Sequence, residues 1–372
     1  MDTDAFANGA TAVAMSGGLD SSVTAWLLAQ SGEPVVGLSM LLWDHSGEAV
    51  HGRCCGALDL GDAKRVAQQA GIPHYTLRMD REFRAKVVDP FVDDYLAGRT
   101  PSPCVRCNSW IKFDLLLERA KRLGASRVAT GHYARIVAGA DGPELHAAVD
   151  ADKDQSYYLF ELTQAQLAAS LFPLGDMTKP EVRELARQAG LAVAEKGESM
   201  EVCFVAGGVR EFVERQVEEH PERFAGAALH TPAALVDTDG VQVGRGEPYY
   251  RYTVGQRRGL GVAAKSPLYV LAIEPLAQRV VVGPAERLLA SGLRGERLHW
   301  IGPAPDGEVE ATVRIRSRHP GVRSVVRPQG GGRVEIEFAA PQRGITPGQA
   351  AVFYDGTRVL GGCWIEGAWR GA

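Results

Sequence analysis

The chain has 372 residues, 45% hydrophobic and 23% charged, a balance that excludes bulk disorder. At roughly 150 residues per domain it implies two or three domains. Its 41 basic and 45 acidic side chains sum to −4, which excludes a uniformly basic nucleic-acid coat but allows a local basic face. No apolar run approaches the ~20 residues of a membrane span. Asp2 and Asp4 near the N-terminus, with no basic residue before Gly9, give no presequence signal, so the expected compartment is the cytoplasm and no membrane partner is expected.

In chain order, Thr11 to Met15 reads as a buried strand, followed by a glycine turn and a helix to about Gln30. Val35 to Leu41 is a second apolar run. Leu58 to Ala70 has helical spacing and stops at Gly71, with Pro73 beyond. Ile111 to Leu123 is again helical and ends at Gly124; Arg127 to Thr130 is a short strand. Such alternation predicts a parallel sheet covered by helices, an α/β domain. Thr178 and Glu181 form a capping box that starts a helix to about Ala189. A helix signal from Val209 to Glu219 comes next. From about Leu298 short alternating runs (Glu310 to Ile315, Arg333 to Phe338, Ala350 to Tyr354, Val359 to Ile365) predict a small β-barrel. The expected organisation is a catalytic domain over residues 1–207, a middle module over 208–290 and the barrel over 291–372.

Between the first strand and helix lies Ser16-Gly17-Gly18-Leu19-Asp20-Ser21. Glycines let the backbone approach an anion, and successive N–H groups at a helix N-terminus supply positive potential. The Walker pattern is absent, since no lysine follows the glycines. The loop resembles the pyrophosphatase-type ATP loop S-G-G-x-D-S of enzymes that split ATP into AMP and pyrophosphate. Asp20 is suited to position Mg2+ on the pyrophosphate.

Six cysteines are too few for a disulfide scaffold. Cys104 and Cys107 stand in C-x-x-C before the Ile111 helix, beside Arg106, where a thiol is expected to gain thiolate character. Cys203 follows about a hundred residues later in Glu201-Val202-Cys203-Phe204-Val205. Two separated thiols beside an ATP loop suggest sulfur chemistry, one carrying sulfur and the other attacking or resolving. A buried apolar role for Cys203 among Val202, Phe204 and Val205 is the alternative.

The ATP loop, GRTPSPCVRCNSWIKF (from Gly98), TGHYAR (from Thr130), DKDQSYYL (from Asp152), EVCFV (from Glu201) and YTVGQRRGLG (from Tyr252) occur in this order. Together they resemble the bacterial tRNA-specific 2-thiouridylase family over nearly the whole chain. The resemblance implies that ATP adenylates O2 of the wobble uridine in tRNAs for Lys, Glu and Gln. A Cys203 persulfide, loaded by a cysteine desulfurase or sulfur-relay protein, then delivers sulfur to C2. Cys107 attacks the persulfide or releases sulfide, leaving a Cys107–Cys203 disulfide.

By the same resemblance Ala14, Met15, Ser16, Gly17, Gly18, Leu19, Asp20 and Ser21 cradle ATP, with Met40 and Gly131 near the adenosine. Ser102, Pro103 and Cys104 match a segment that contacts the target base. Lys153, Asp154 and Gln155 match a tRNA-contacting stretch, as do the single positions His132 and Gln349 and the pair Arg316 and Ser317. The family carries an aromatic at position 317, so this chain departs there. Some members carry Asp at position 104; here Cys104, Cys107 and Cys203 leave open an iron–sulfur cluster with one free site, as in related tRNA-thiolating enzymes. Glu198-Ser199-Met200-Glu201 also departs from the family's usual stretch before the second cysteine. A different ATP-loop ligase acting on a small molecule is the other open alternative.

His51, Cys54 and Cys55 read as half a zinc site without a second ligand pair. Cys363 is expected to be buried in a terminal strand. Arg314, Arg316, Arg318, His319, Arg323 and Arg327 form a run without carboxylates; on a strand the first three would share one face and follow phosphates. Arg251, Arg257 and Arg258 add a second basic group in the middle module.

Overall fold

The structure is a computed structural model that describes residues 9–43, 57–197, 202–205, 207–224 and 230–370. Its first sheet is entirely parallel, in the order β3 (His74–Arg78), β2 (Val35–Leu41), β1 (Thr11–Ala14), β4 (Arg127–Ala129), β7 (Ser170–Leu171). All four residues of β1 are buried, as the unbroken apolar run requires of a strand covered on both faces. Helices Leu19–Ala29, Ala57–Ala70 and Lys179–Gln188 bury Val23, Ala63, Val66, Val182 and Ala186 in one cluster. The helix at 80–96, which the sequence reading did not place, buries Phe83, Val87, Val88, Phe91 and Val92 in another.

The predicted capping box is present at Thr178 and Glu181. The helix expected from Ile111 starts earlier. Pro103 occupies its first turn, where a missing N–H costs nothing, and the helix continues to Arg122. From Cys107 to Leu116 it is wound as a π-helix, a form associated with functional sites. Both Cys104 and Cys107 therefore lie inside this helix, which the periodicity from Ile111 onward did not reveal.

A second sheet, in the order β10 (Tyr269–Glu274), β11 (Arg279–Gly283), β8 (Ala234–Val236), β9 (Gln242–Arg245), forms the middle of the chain. The third is a barrel: β12 (Leu289–Trp300), β15 (Arg333–Arg343), β14 (Val322–Gly330), β13 (Val309–Arg314), β16 (Ala350–Asp355) and β17 (Arg358–Trp369), closed by pairing of β12 with β17. Cys363 is fully buried there, as expected, and burial pushes its thiol well up. The hairpin β5 (Ala134–Gly139) and β6 (Gly142–Ala147) leaves the first sheet and hydrogen-bonds to β17, through Arg358 with His146 and Val359 with Leu145. This hairpin thus adds two strands to the barrel's sheet.

The arginine run does not lie along one strand. Strand β13 ends at Arg314, and Arg316 and Arg318 fall in the following turn. Arg314 is committed to Asp154, Arg323 pairs with Glu310, and Arg327 with Glu308 and Glu337. Arg316 and Arg318 are exposed. Arg251 is likewise held by Glu214 and Glu247, leaving Arg257 and Arg258 exposed.

Candidate active site

Strand order reverses between β1 and β4, so a crevice opens at their carboxyl ends, where α/β sheets bind ligands. The loop Ser16–Gly18 fills one side. Gly17 has φ +73°, and a Cβ there would lie 2.0 Å from the Asp59 carbonyl oxygen, so only glycine fits. Ser21 Oγ accepts the Ser16 N–H at 3.1 Å and donates to the Gly18 carbonyl at 3.2 Å, pinning the turn onto the helix start. Gly131, just past β4, is forced by contact: a Cβ would meet the Ser21 nitrogen at 2.8 Å. Between these walls is an open cleft of about 180 Å³. Ala14, Met15, Ser16, Asp20, Ser21, Met40 and Gly131 all line it, with His132 and Gln155 at its edge.

Lysines found only in the structure surround this loop. Lys179 donates to Asp20 Oδ1 at 2.7 Å and Oδ2 at 2.9 Å, and Tyr133 Oη donates to Oδ1 at 3.0 Å. A lysine in the first turn of a helix opposes the macrodipole, and that misfit is the sequence signal for a specific partner. Lys196 Nζ reaches the Gly17 carbonyl at 2.9 Å. Lys112 sits in the cleft beside His132, 3.4 Å from Nε2.

His132 is buried, and burial with the Lys112 charge drives its pKa well below the ordinary 6.5, so the imidazole is neutral. Since Lys112 can only donate, Nε2 is the acceptor and Nδ1–H donates to Thr130 Oγ1 at 2.7 Å. Phe113 and Phe172 flank the ring at 5.8 and 5.9 Å.

Cys104 is exposed and Cys107 half-buried. Asn108, the next residue, donates to the Tyr158 carbonyl at 3.1 Å, and Ser109 Oγ bonds to Glu161 at 3.1 Å, so the helix is locked in rotation. Arg106 is directed to Asp94 at 3.2 Å and lies over Trp110 and Trp364. Cys203 is half-buried in a turn closed by Val205 N–H to the Val202 carbonyl at 3.1 Å. The burial is carried by Phe204, whose ring packs 5.1 Å from Phe91 and 5.4 Å from Phe212. Cys107 and Cys203 border the same apolar cluster, and both stand as thiols.

The barrel reaches this helix directly. Gln349 Nε2 donates to the Thr100 and Pro101 carbonyls at 2.9 and 3.2 Å, fixing the approach to Ser102 and Pro103, both buried. Ser317 hydrogen-bonds Tyr158, with Cys104 and Arg318 close by; burial pushes the Tyr158 hydroxyl up and the Ser317 bond partly offsets it. Asp154 is consumed internally: Oδ1 accepts the Ala148 and Ser156 N–H groups and Oδ2 accepts Arg314. Gln155 Oε1 accepts the Tyr133 N–H at 3.0 Å. Lys153 is half-buried in the turn beside them.

In this structure both Asp20 carboxylate oxygens accept from Lys179, and Oδ1 also accepts from Tyr133. Among the described residues no three His, Cys, Asp or Glu side chains converge as a metal site. Cys104, Cys107 and Cys203 therefore do not form a cluster cradle in this structure, and no iron–sulfur step is derived. His51, Cys54, Cys55 and residues 198–201 lie outside the described residues.

A glycine-rich anion loop at the switch point of a parallel sheet, followed by two β modules, defines a nucleotide-binding α/β enzyme with appended barrels. Residues 10–207 match the family described as tRNA methyl transferase HUP domain, 227–284 its PRC-barrel domain, and 290–365 an aminomethyltransferase beta-barrel domain. The tRNA-specific 2-thiouridylase MnmA of Geobacter metallireducens is 51% identical, with 96% of each chain covered. That of Geotalea uraniireducens is 49% identical, covering 96% of this chain and 94% of the relative. The chain belongs to the tRNA-specific 2-thiouridylase family. No helix among the described residues is long and apolar enough to cross a membrane.

Proposed function

We propose that the chain uses ATP to convert C2–O2 of the anticodon wobble uridine to C2–S in tRNAs for Lys, Glu and Gln, releasing AMP and pyrophosphate. The observation that supports this best is the cleft under the Ser16–Gly18 loop, with Asp20 on one wall and Gly131 on the other, in a domain whose Cys107 and Cys203 border one cluster. In this reading the loop N–H groups and the helix N-terminus bind the triphosphate. Mg2+ on Asp20 would supply charge neutralisation for the departing pyrophosphate. Met40 and Gly131 flank the adenosine.

Uridine O2 attacks the α-phosphorus and pyrophosphate leaves, which turns O2 into part of an AMP leaving group. The terminal sulfur of a Cys203 persulfide, supplied by a cysteine desulfurase or relay protein, adds to C2 and AMP departs. The Cys107 thiolate then attacks Cys203 Sγ; the S–S bond breaks, and its electron pair stays on the sulfur now bound to C2. The product is 2-thiouridine and a Cys107–Cys203 disulfide, which a thiol reductant returns to two thiols. Ser102, Pro103, Cys104, His132, Lys153, Gln155, Arg316, Ser317 and Gln349 surround or position the tRNA in this reading. Asp154 acts from behind, through Arg314.

The test is thiolation of unmodified tRNA-Lys transcript by anaerobically purified protein with ATP, Mg2+ and a persulfide donor. Thiouridine is expected from wild type and Cys104→Ala, and none from Cys107→Ala or Cys203→Ala. Loss in Cys104→Ala as well, with a visible-absorbing chromophore, would overturn the persulfide route. No product from wild type beside a competent control enzyme would overturn the function.

A further inference from the structure

An anion-binding loop needs its N–H groups turned toward the ligand and its carbonyls turned away. A carbonyl turned into the protein must find a donor there. In this chain that donor for Gly17 is Lys196, whose Nζ lies 2.9 Å from the carbonyl oxygen. The same ammonium reaches Asp59 Oδ1 and Asp62 Oδ2, each at 2.6 Å, so its three protons have three acceptors. The pair of carboxylates comes from the first turns of the helix Ala57–Ala70, the helix against which Gly17 packs without room for a Cβ. Lys196 itself is not among the residues lining the cleft.

We propose that Lys196 is a positioning residue for the nucleotide: a tripod that holds the Gly17 peptide in its anion-accepting orientation by tying its carbonyl to Asp59 and Asp62. This rests on the reading of the loop as the triphosphate site, and it adds a residue to which neither loop motif nor cysteine motif points. The arrangement has a functional logic in charge. A lysine inserted directly among the phosphates would hold them in the ground state as well as the transition state. Here the cation stays behind the loop, paired with two carboxylates, and its effect on the ligand passes through the backbone. Lys179 stands differently: it contacts Asp20, whose side chain faces the cleft.

The consequence is a split between the two substrates. Removing a charge-assisted hydrogen bond that fixes the loop should raise the KM for ATP about tenfold. The KM for tRNA should stay unchanged, and kcat should stay within about threefold because the chemical groups are untouched. The variants are Lys196→Met and Lys196→Arg in the full chain, with steady-state thiolation against ATP and against tRNA. Lys196→Arg, which keeps the charge and donors, should recover most of the ATP affinity. ATP binding is measured directly by calorimetry on the same proteins. Wild type that binds no ATP would overturn the nucleotide reading itself. Wild type that binds ATP beside a Lys196→Met protein of equal affinity would overturn only the role of Lys196, as would an equal rise in both KM values. Should Lys196→Met fail to fold, Asp62→Ala removes one leg of the tripod and leaves the cation. It should raise the KM for ATP about threefold at constant tRNA KM, and no change would overturn the proposal.

Discussion

Arg314 of the barrel and Asp154 of the N-terminal domain form an ion pair of 2.8 Å, with only 5% of the Asp154 side chain exposed and the guanidinium 4.3 Å above the Tyr354 ring. This contact joins the sheet-borne cleft to the barrel. It also commits the Asp154 carboxylate to a partner inside the protein. Asp154→Ala leaves Arg314 uncompensated against a buried wall. Allowing for partial exposure of the arginine, it should cost about 2–4 kcal/mol. Urea unfolding of Asp154→Ala and Arg314→Met checks this; a double variant no worse than either single one is expected for a coupled pair.

Asp94 makes a second such hinge. Its buried carboxylate accepts Arg99 at 2.6 Å and Arg106 at 3.2 Å, bracketing the segment that carries Ser102 to Cys107. Asp94→Asn removes the charge facing two arginines and should destabilise by about 2–4 kcal/mol. It should also free the start of the helix, so iodoacetamide should label Cys107 faster than in wild type. Mass spectrometry after timed alkylation reads this, and an unchanged rate would reject the hinge.

Three histidines, His74, His132 and His319, have pKa values below the ordinary 6.5, each first through burial. The unfolded chain therefore binds protons that the native chain refuses. Their contribution is complete above pH 6.5 and is lost as pH falls toward each native value, by up to about 1.4 kcal/mol per pH unit per histidine. Denaturant unfolding between about pH 7 and pH 5 should show this decline. His319→Gln should flatten it, since the His319 ring is held by Gln342, the Gly321 N–H and the Val313 backbone. An identical slope would contradict the assignment.

Gly131→Ala places a methyl 2.8 Å from the Asp20 carbonyl carbon and the Ser21 nitrogen, both backbone atoms that cannot swing aside. The expected result is at least a tenfold loss of ATP affinity by calorimetry, with the far-ultraviolet spectrum unchanged. Affinity equal to wild type would show that the wall at Gly131 is not part of the nucleotide site.

Elements whose signal is local are legible in the sequence. Ala12 to Met15 is apolar without interruption, Ser16–Gly18 turns into a helix start, and Thr178 with Glu181 closes a capping box; the fold has a strand over Thr11–Ala14, a helix from Leu19 and a capped helix from Lys179. Motif order also made the family legible. The remaining features depend on contacts between distant segments. The hairpin at 134–147 joins the barrel because β17 leaves an edge for it, and no local pattern carries that partner's address. The expected stripe of Arg314, Arg316 and Arg318 ends at a turn because β13 stops at Arg314. Arg106 turns from the thiols to Asp94 and two tryptophans because a half-buried guanidinium needs a carboxylate. Lys179 and Lys196 enter the site for the same reason: a charge near the core takes the partner that folding supplies, at separations in sequence that spacing rules do not reach.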